Sequence, residues 1–64
     1  MQKIQLIPIS DVIRMTSLGR STIYRYISEG RFPRQVSVGE KNSAWVEEEV
    51  QEWILARIAE RDSA

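Results

Sequence analysis

Two short apolar faces on either side of a break at Leu18-Gly19 constrain this chain more than any other feature. Val12 and Ile13 precede the break, and Ile23 and Ile27 follow it four residues apart. Gly tolerates the backbone angles a sharp turn needs and is an acceptable N-cap, so the pattern predicts helix, turn, helix. After the break the chain reads Arg20-Ser21-Thr22-Ile23-Tyr24-Arg25, and the polar groups leave the face that carries Ile23 and Ile27. A helix whose exposed first turns hold guanidinium and hydroxyl groups suits a DNA major groove. There Arg can bond guanine edges, and Ser or Thr can bond bases or phosphates.

Length limits what surrounds this pair. Sixty-four residues make one domain, expected over 1–64. A chain of this size buries only ~60% of its unfolded surface, so the core is small and the stability margin thin. There is no cysteine and no histidine. Their absence removes a disulfide framework, a thiolate nucleophile, an imidazole base and the usual zinc ligands. No nucleophile–base constellation is visible, so an enzyme is not expected, and neither a cofactor nor a small-molecule ligand. The longest uncharged run, Ile4 to Ser10, contains Gln and Pro and is too short for a signal peptide or a membrane span. The expectation is a soluble cytosolic protein.

The formal net charge of zero conceals a dipole. From Arg14 to Lys41 six cations (Arg14, Arg20, Arg25, Arg31, Arg34, Lys41) face two anions (Glu29, Glu40), a local charge of +4. From Asn42 onward six anions (Glu47, Glu48, Glu49, Glu52, Glu60, Asp62) outweigh two cations (Arg57, Arg61), a local charge of −4. A basic middle of that size can neutralise several phosphates.

Around the helix pair the pattern predicts little ornament and no linker. Lys3 to Ile7 alternates weakly, Ile4 and Leu6 against Lys3 and Gln5, and predicts a short edge strand that Pro8 ends. Ser10 offers a hydroxyl N-cap, with Asp11 in the first turn and the first helix running to about Met15. The second helix is expected over about Arg20 to Glu29, with Gly30 as its left-handed cap. Arg31-Phe32-Pro33 is then extended, because the residue before proline avoids the helical region. Gln35 to Val38 alternates like a half-buried strand, Gly39 to Asn42 has turn composition, and Ser43 to Trp45 returns as the partner strand. Val46, Val50, Trp53, Ile54 and Ile58 form one apolar stripe at helical spacing, behind three glutamates that match the helix dipole. Those glutamates point about 100° apart, so they cannot converge on one metal ion. Phe32, Trp45 and Trp53 are expected in the core, which a short chain must fill with large side chains. The order helix, turn, helix, hairpin, helix is a winged helix-turn-helix: mainly α with a small β-hairpin, its last helix covering the underside of the two short ones.

The residues quoted so far also resemble a known family. Val12-Ile13, Arg20-Ser21-Thr22-Ile23-Tyr24-Arg25, Gly30-Arg31-Phe32-Pro33, Trp45 and Val50-Gln51-Glu52-Trp53-Ile54 run in the order found in the AlpA family of small prophage-encoded transcriptional regulators. That family is similar in fold to excisionases and to the DNA-binding domain of MerR-type regulators. The resemblance implies a phage- or island-borne bacterial regulator of promoters, such as those governing integrase expression and excision. One departure is Gly19, where the family usually has Ser. Gly keeps the cap geometry and loses the hydroxyl, so no DNA role is assigned to it.

Within this fold the expected base contacts are Arg20, Ser21 and Arg25, since recognition helices present their amino-terminal residues to base edges. The rival for Arg25 is an ion pair with Glu29, four residues on. Thr22, Tyr24, Arg31 and Arg34 are expected to touch phosphates or backbone, with the Tyr24 ring buried and Tyr26 more exposed. Lys41 and Asn42 at the hairpin tip form the wing, placed to reach the adjacent minor groove. The expected partner is double-stranded DNA, bound as a homodimer or side by side, since one short module rarely gives enough specificity. Two other readings share these residues or this fold. An excisionase would bend attachment-site DNA with the same side chains, and a protein-binding adaptor would work through the acidic carboxy-terminal helix.

Overall fold

The computed structural model describes residues 3–63, so the outermost positions of the domain expected over 1–64 lie outside it. The chain runs β1 (Leu6–Ile7), α1 (Ile9–Thr16), α2 (Arg20–Ser28), β2 (Val36–Ser37), β3 (Ser43–Val46) and α3 (Glu47–Ser63). The strands form one antiparallel sheet in the order β1-β3-β2. This is the mainly helical winged helix-turn-helix arrangement that the pattern predicts, with β1 added to the hairpin. Its core is Ile7, Val12, Ile23, Phe32, Trp45 and Val50, one residue from each element except β2 and one from the 30–33 bend.

Several boundaries differ from expectation by a residue or two, each for a local reason. In β1 the buried residue is Ile7, while Ile4 and Leu6 are exposed. Ile7 stands opposite Trp45, and its side chain leaves the sheet on the core side. Ile4 and Leu6 therefore fall on the wrong parity. Helix α1 begins one residue before Ser10, capped by Pro8 and without a side-chain cap bond. The Pro8 carbonyl accepts from the Asp11 and Val12 amides, and half-buried Ile9 packs against the core. Burial of Ile9 outweighs the hydroxyl that Ser10 offers.

The turn between α1 and α2 is also built differently. Its left-handed residue is Ser17, at φ 63, whereas Gly19 is extended at φ −74 and ψ 162 and serves only as the N-cap of α2. The Thr16 hydroxyl fastens this turn, donating to the Val12 carbonyl at 2.8 Å and accepting from the Leu18 amide at 3.2 Å. At the other end of α2, Gly30 does take the left-handed conformation, at φ 73. The Gly30 amide bonds the Ile27 carbonyl and the Arg31 amide the Tyr26 carbonyl, the paired bonds of a Schellman cap.

Two tryptophans then hold the bend that follows. The Trp53 indole donates to the Arg31 carbonyl at 2.7 Å, and the Trp45 indole to the Pro33 carbonyl at 3.2 Å. Phe32 lies between these two carbonyls, buried and edge-on to Trp53 at 5.0 Å. The Gly-x-Phe-Pro run and both tryptophans are thus one device: a turn, a buried ring, and two donors for the carbonyls the bend leaves unpaired.

Two expectations about apolar faces are corrected. Val36 and Val38 are both exposed, so β2 is not half-buried; the buried residues of the hairpin are Ala44 and Trp45, both on β3. Val46 belongs to β3 rather than to the helical stripe, and Ile58 is exposed. Helix α3 covers the small core with Val50, Trp53 and Ile54 only, because the helices beneath it are too short to reach farther.

Candidate nucleic-acid interface

Helix α2 lays Ile23 into the core and half-buries Tyr26 and Ile27 beside it. That orientation turns Arg20, Ser21, Tyr24 and Arg25 outward, all exposed, with Thr22 half-buried at the flank. No side chain caps the first turn of α2. Its open amides carry the positive end of the helix dipole, which suits an anion.

The hairpin comes up beside that first turn. Arg20 and Tyr24 line one cleft of about 260 Å³ together with Lys41, Asn42 and Ser43 from the wing. Pro8, Ile9 and Trp45 complete its wall. Arg20 and Tyr24 share the cleft because residues four apart stack on one helix face. Lys41 and Asn42 reach it because Ser37 pairs with Ser43 and the Val38 amide bonds the Asn42 carbonyl, closing a tight tip. The sequence offered no signal for Pro8 and Ile9, which enter only through the packing of α1 against β3.

The two tyrosines exchange their expected roles. Tyr24 is 39% exposed and meets buried Trp45 edge-on at 6.1 Å, leaving one side of its ring open to the cleft. Tyr26 is half-buried, with the Arg31 guanidinium over its face at 4.2 Å and that of Arg25 at 5.6 Å. The spacing Ile23, Tyr26, Ile27 is the i, i+3, i+4 pattern of a buried face and marks Tyr26 as the inward ring.

Ion pairing separates the cations into two groups. Arg14 pairs with Asp11, Arg31 with Glu29, Arg57 with Glu60 and Arg61 with Asp62. Among the described residues Lys3, Arg20, Arg25, Arg34 and Lys41 form no ion pair, and Arg31 rather than Arg25 takes the Glu29 carboxylate. The site residues do not all converge. Arg25 lies on the adjoining face of α2, and Arg34 lines a separate groove with Pro33, Val36, Glu49 and Glu52. Arg31 is held over Tyr26 and against Glu29. No group of three potential metal-ligating side chains occurs among the described residues, and no helix there is long and apolar enough to cross a membrane.

Relatives place this arrangement. The family model described as "Prophage CP4-57 regulatory protein (AlpA)" matches residues 5–58, from β1 into the second half of α3. The chain is 49% identical to the uncharacterized protein ORF88 of Enterobacteria phage P4 over 53 residues, which is 83% of this chain and 60% of that one. It is 28% identical over 60 residues to the DNA-binding transcriptional activator AlpA of Escherichia coli strain K12, covering 84% of this chain and 86% of that protein. The matched span takes in α2, the 30–33 bend, the hairpin and both tryptophans, and the chain belongs to the AlpA family of prophage regulatory proteins.

Proposed function

We propose that this chain binds double-stranded DNA at specific sites and regulates transcription of genes carried by a prophage or genomic island, integrase and excision genes among them. One observation carries the reading: the first turn of α2 and the hairpin tip bring unpaired Arg20 and Lys41 to one cleft, with Asn42 and Tyr24 between them. The name of the Escherichia coli relative, a DNA-binding transcriptional activator, supports it. In this reading α2 lies in the major groove with Arg20 and Ser21 at base edges and Arg25 beside them. The wing follows the adjacent backbone through Lys41 and Asn42. Thr22, Tyr24 and Arg34 serve phosphates, and Arg31 contributes its charge while tied to Glu29. No metal or small molecule takes part, and the site of action is the bacterial nucleoid.

The experiment is a selection of bound duplexes from a random-sequence pool, followed by titration of the winning site and its single-base variants. Arg25→Ala is expected to weaken the cognate site and tolerate a changed base at one position, since a bidentate arginine–guanine contact discriminates by about 1–3 kcal/mol. Equal affinity of mutant and wild type would remove Arg25 from the interface. Mapping of bound DNA in the host then separates promoters, which this reading requires, from attachment-site arms, which would assign the chain to recombination.

A further inference from the structure

Tyr26 belongs to the inward side of α2, yet it meets two cations that face out. Its ring is half-buried and packs against the core beside Ile27, which fixes it from within. From outside, the Arg31 guanidinium lies over the ring, 4.2 Å from its centroid. Arg31 is itself well held. Its amide bonds the Tyr26 carbonyl at 2.8 Å, its carbonyl accepts from the Trp53 indole at 2.7 Å, and its guanidinium donates to Glu29 at 3.0 Å. The Arg25 guanidinium stands 5.6 Å from the same ring centroid. Among the described residues Arg25 forms no ion pair, and Tyr26 is its one cation–aromatic partner.

We propose that Tyr26 is a positioning residue: its ring, pinned by the core and by Arg31, holds Arg25 in the orientation with which α2 discriminates between bases. This assignment rests on the DNA-binding reading and adds to it a side chain that acts through Arg25 rather than on the duplex.

The physical effect is one of order rather than of charge. An aromatic face attracts a guanidinium through its quadrupole, and the planar group stacks on it. A long side chain loses rotamer freedom when it enters an interface, and a ring that restrains it beforehand lowers that loss. Restraint also narrows what the side chain can reach. A bidentate contact with guanine O6 and N7 needs the guanidinium aligned with the base edge. An arginine free to swing finds phosphates and other acceptors instead, so it binds many sequences and distinguishes few. Both arginines stay cationic with or without the ring, so the number of phosphates neutralised does not depend on it.

Tyr26→Leu and Tyr26→Met keep an apolar side chain at this half-buried position and delete the ring, whereas Tyr26→Phe deletes only the hydroxyl. On the selected duplex and its single-base variants, the two ringless proteins are expected to lose about two- to fivefold in discrimination at the base position that Arg25→Ala relaxes, the worth of an exposed cation–π contact. Their slope of log affinity against log salt should match wild type, and Tyr26→Phe should discriminate as wild type does. In an Arg25→Ala background, loss of the ring should remove nothing further. In the free protein, NMR relaxation should find the Arg25 Nε–H more ordered than that of Arg34, an exposed arginine with no ion pair or aromatic contact among the described residues, and the ringless variants should erase that difference. Equal order at Arg25 and Arg34 in wild type would overturn the proposal, and that measurement depends on no variant folding. So would ringless proteins that discriminate like wild type, or a loss of discrimination that persists in the Arg25→Ala background, the mark of a merely structural residue. If wild type selects no duplex at all, the DNA-binding reading fails, while the Nε–H order still decides whether the ring holds Arg25.

Discussion

Helix α2 has nine residues and α3 seventeen, yet each buries one residue fully and half-buries two others against the core. Ile23 of α2 is fully buried, Tyr26 and Ile27 are half-buried, and Gly30 closes the helix with two backbone bonds. Helix α3 buries only Val50 fully, then leaves the domain after Ile54. The outward surfaces differ as well. The arginines of α2 are unpaired with any carboxylate, while those of α3 each hold one. Length thus says little about where a small domain keeps its stability.

The largest effects should fall where α3 and the sheet grip the core. Trp45→Ala removes a fully buried indole whose N–H satisfies the Pro33 carbonyl. Truncating a core Trp costs about 3–5 kcal/mol, most of the margin of a domain this small, so thermal melts should show an unfolded chain at room temperature. Leu55→Ala, on the free end of α3, should leave the melting temperature within about 4 °C, because exposed substitutions move stability by less than about 0.5 kcal/mol. A matching loss in both variants would erase the contrast between the two parts of the molecule.

Trp53→Phe is a smaller and sharper probe. It keeps a ring against Phe32 and deletes the donor to the Arg31 carbonyl, together with part of the indole face that Arg57 covers. The expected loss is about 1 kcal/mol by chemical denaturation, the net worth of one such bond. No change would mean that the bend at 30–33 does not depend on that tryptophan.

The order and kind of elements were legible because periodicity and turn chemistry are local. Ile23 and Ile27, Gly30, Phe32-Pro33 and the Val50-to-Ile54 stripe each announce an element by spacing alone. What escaped was decided between elements. Ile7 rather than Leu6 faces inward because of its pairing with Trp45, 38 positions later, which no pattern within a strand of two residues can specify. Ser10 lost the cap to Pro8 because Ile9 found a place in the core. At the interface, Arg20 and Lys41 were legible as cations, but their shared cleft depends on the hairpin register. The inward ring was written in the sequence all along, since Tyr26 keeps the i, i+3, i+4 spacing with Ile23 and Ile27 and Tyr24 does not.

A gain in stability tests the turn. Nothing lies within 4 Å of a Cβ added at Gly19, and its backbone is extended, so Ser fits there without strain. Gly19→Ser should gain a side-chain cap and lose unfolded-state freedom, raising stability by about 0.5–1 kcal/mol in a melt. A destabilised variant would show that the α1–α2 turn needs glycine itself.

The contrast between the two helices is tested most directly by the salt dependence of DNA binding. The slope of log affinity against log salt counts the phosphates a protein neutralises, about 0.9 for each contact. Arg20→Ala and Lys41→Ala should each flatten that slope by about one unit, measured on the selected duplex. Arg57→Ala and Arg61→Ala, on the far half of α3, should leave it unchanged on a single-site duplex. Slopes that fall with the α3 arginines and hold with Arg20 and Lys41 would place the DNA on the opposite side of the molecule and contradict the interface assigned to α2 and the wing.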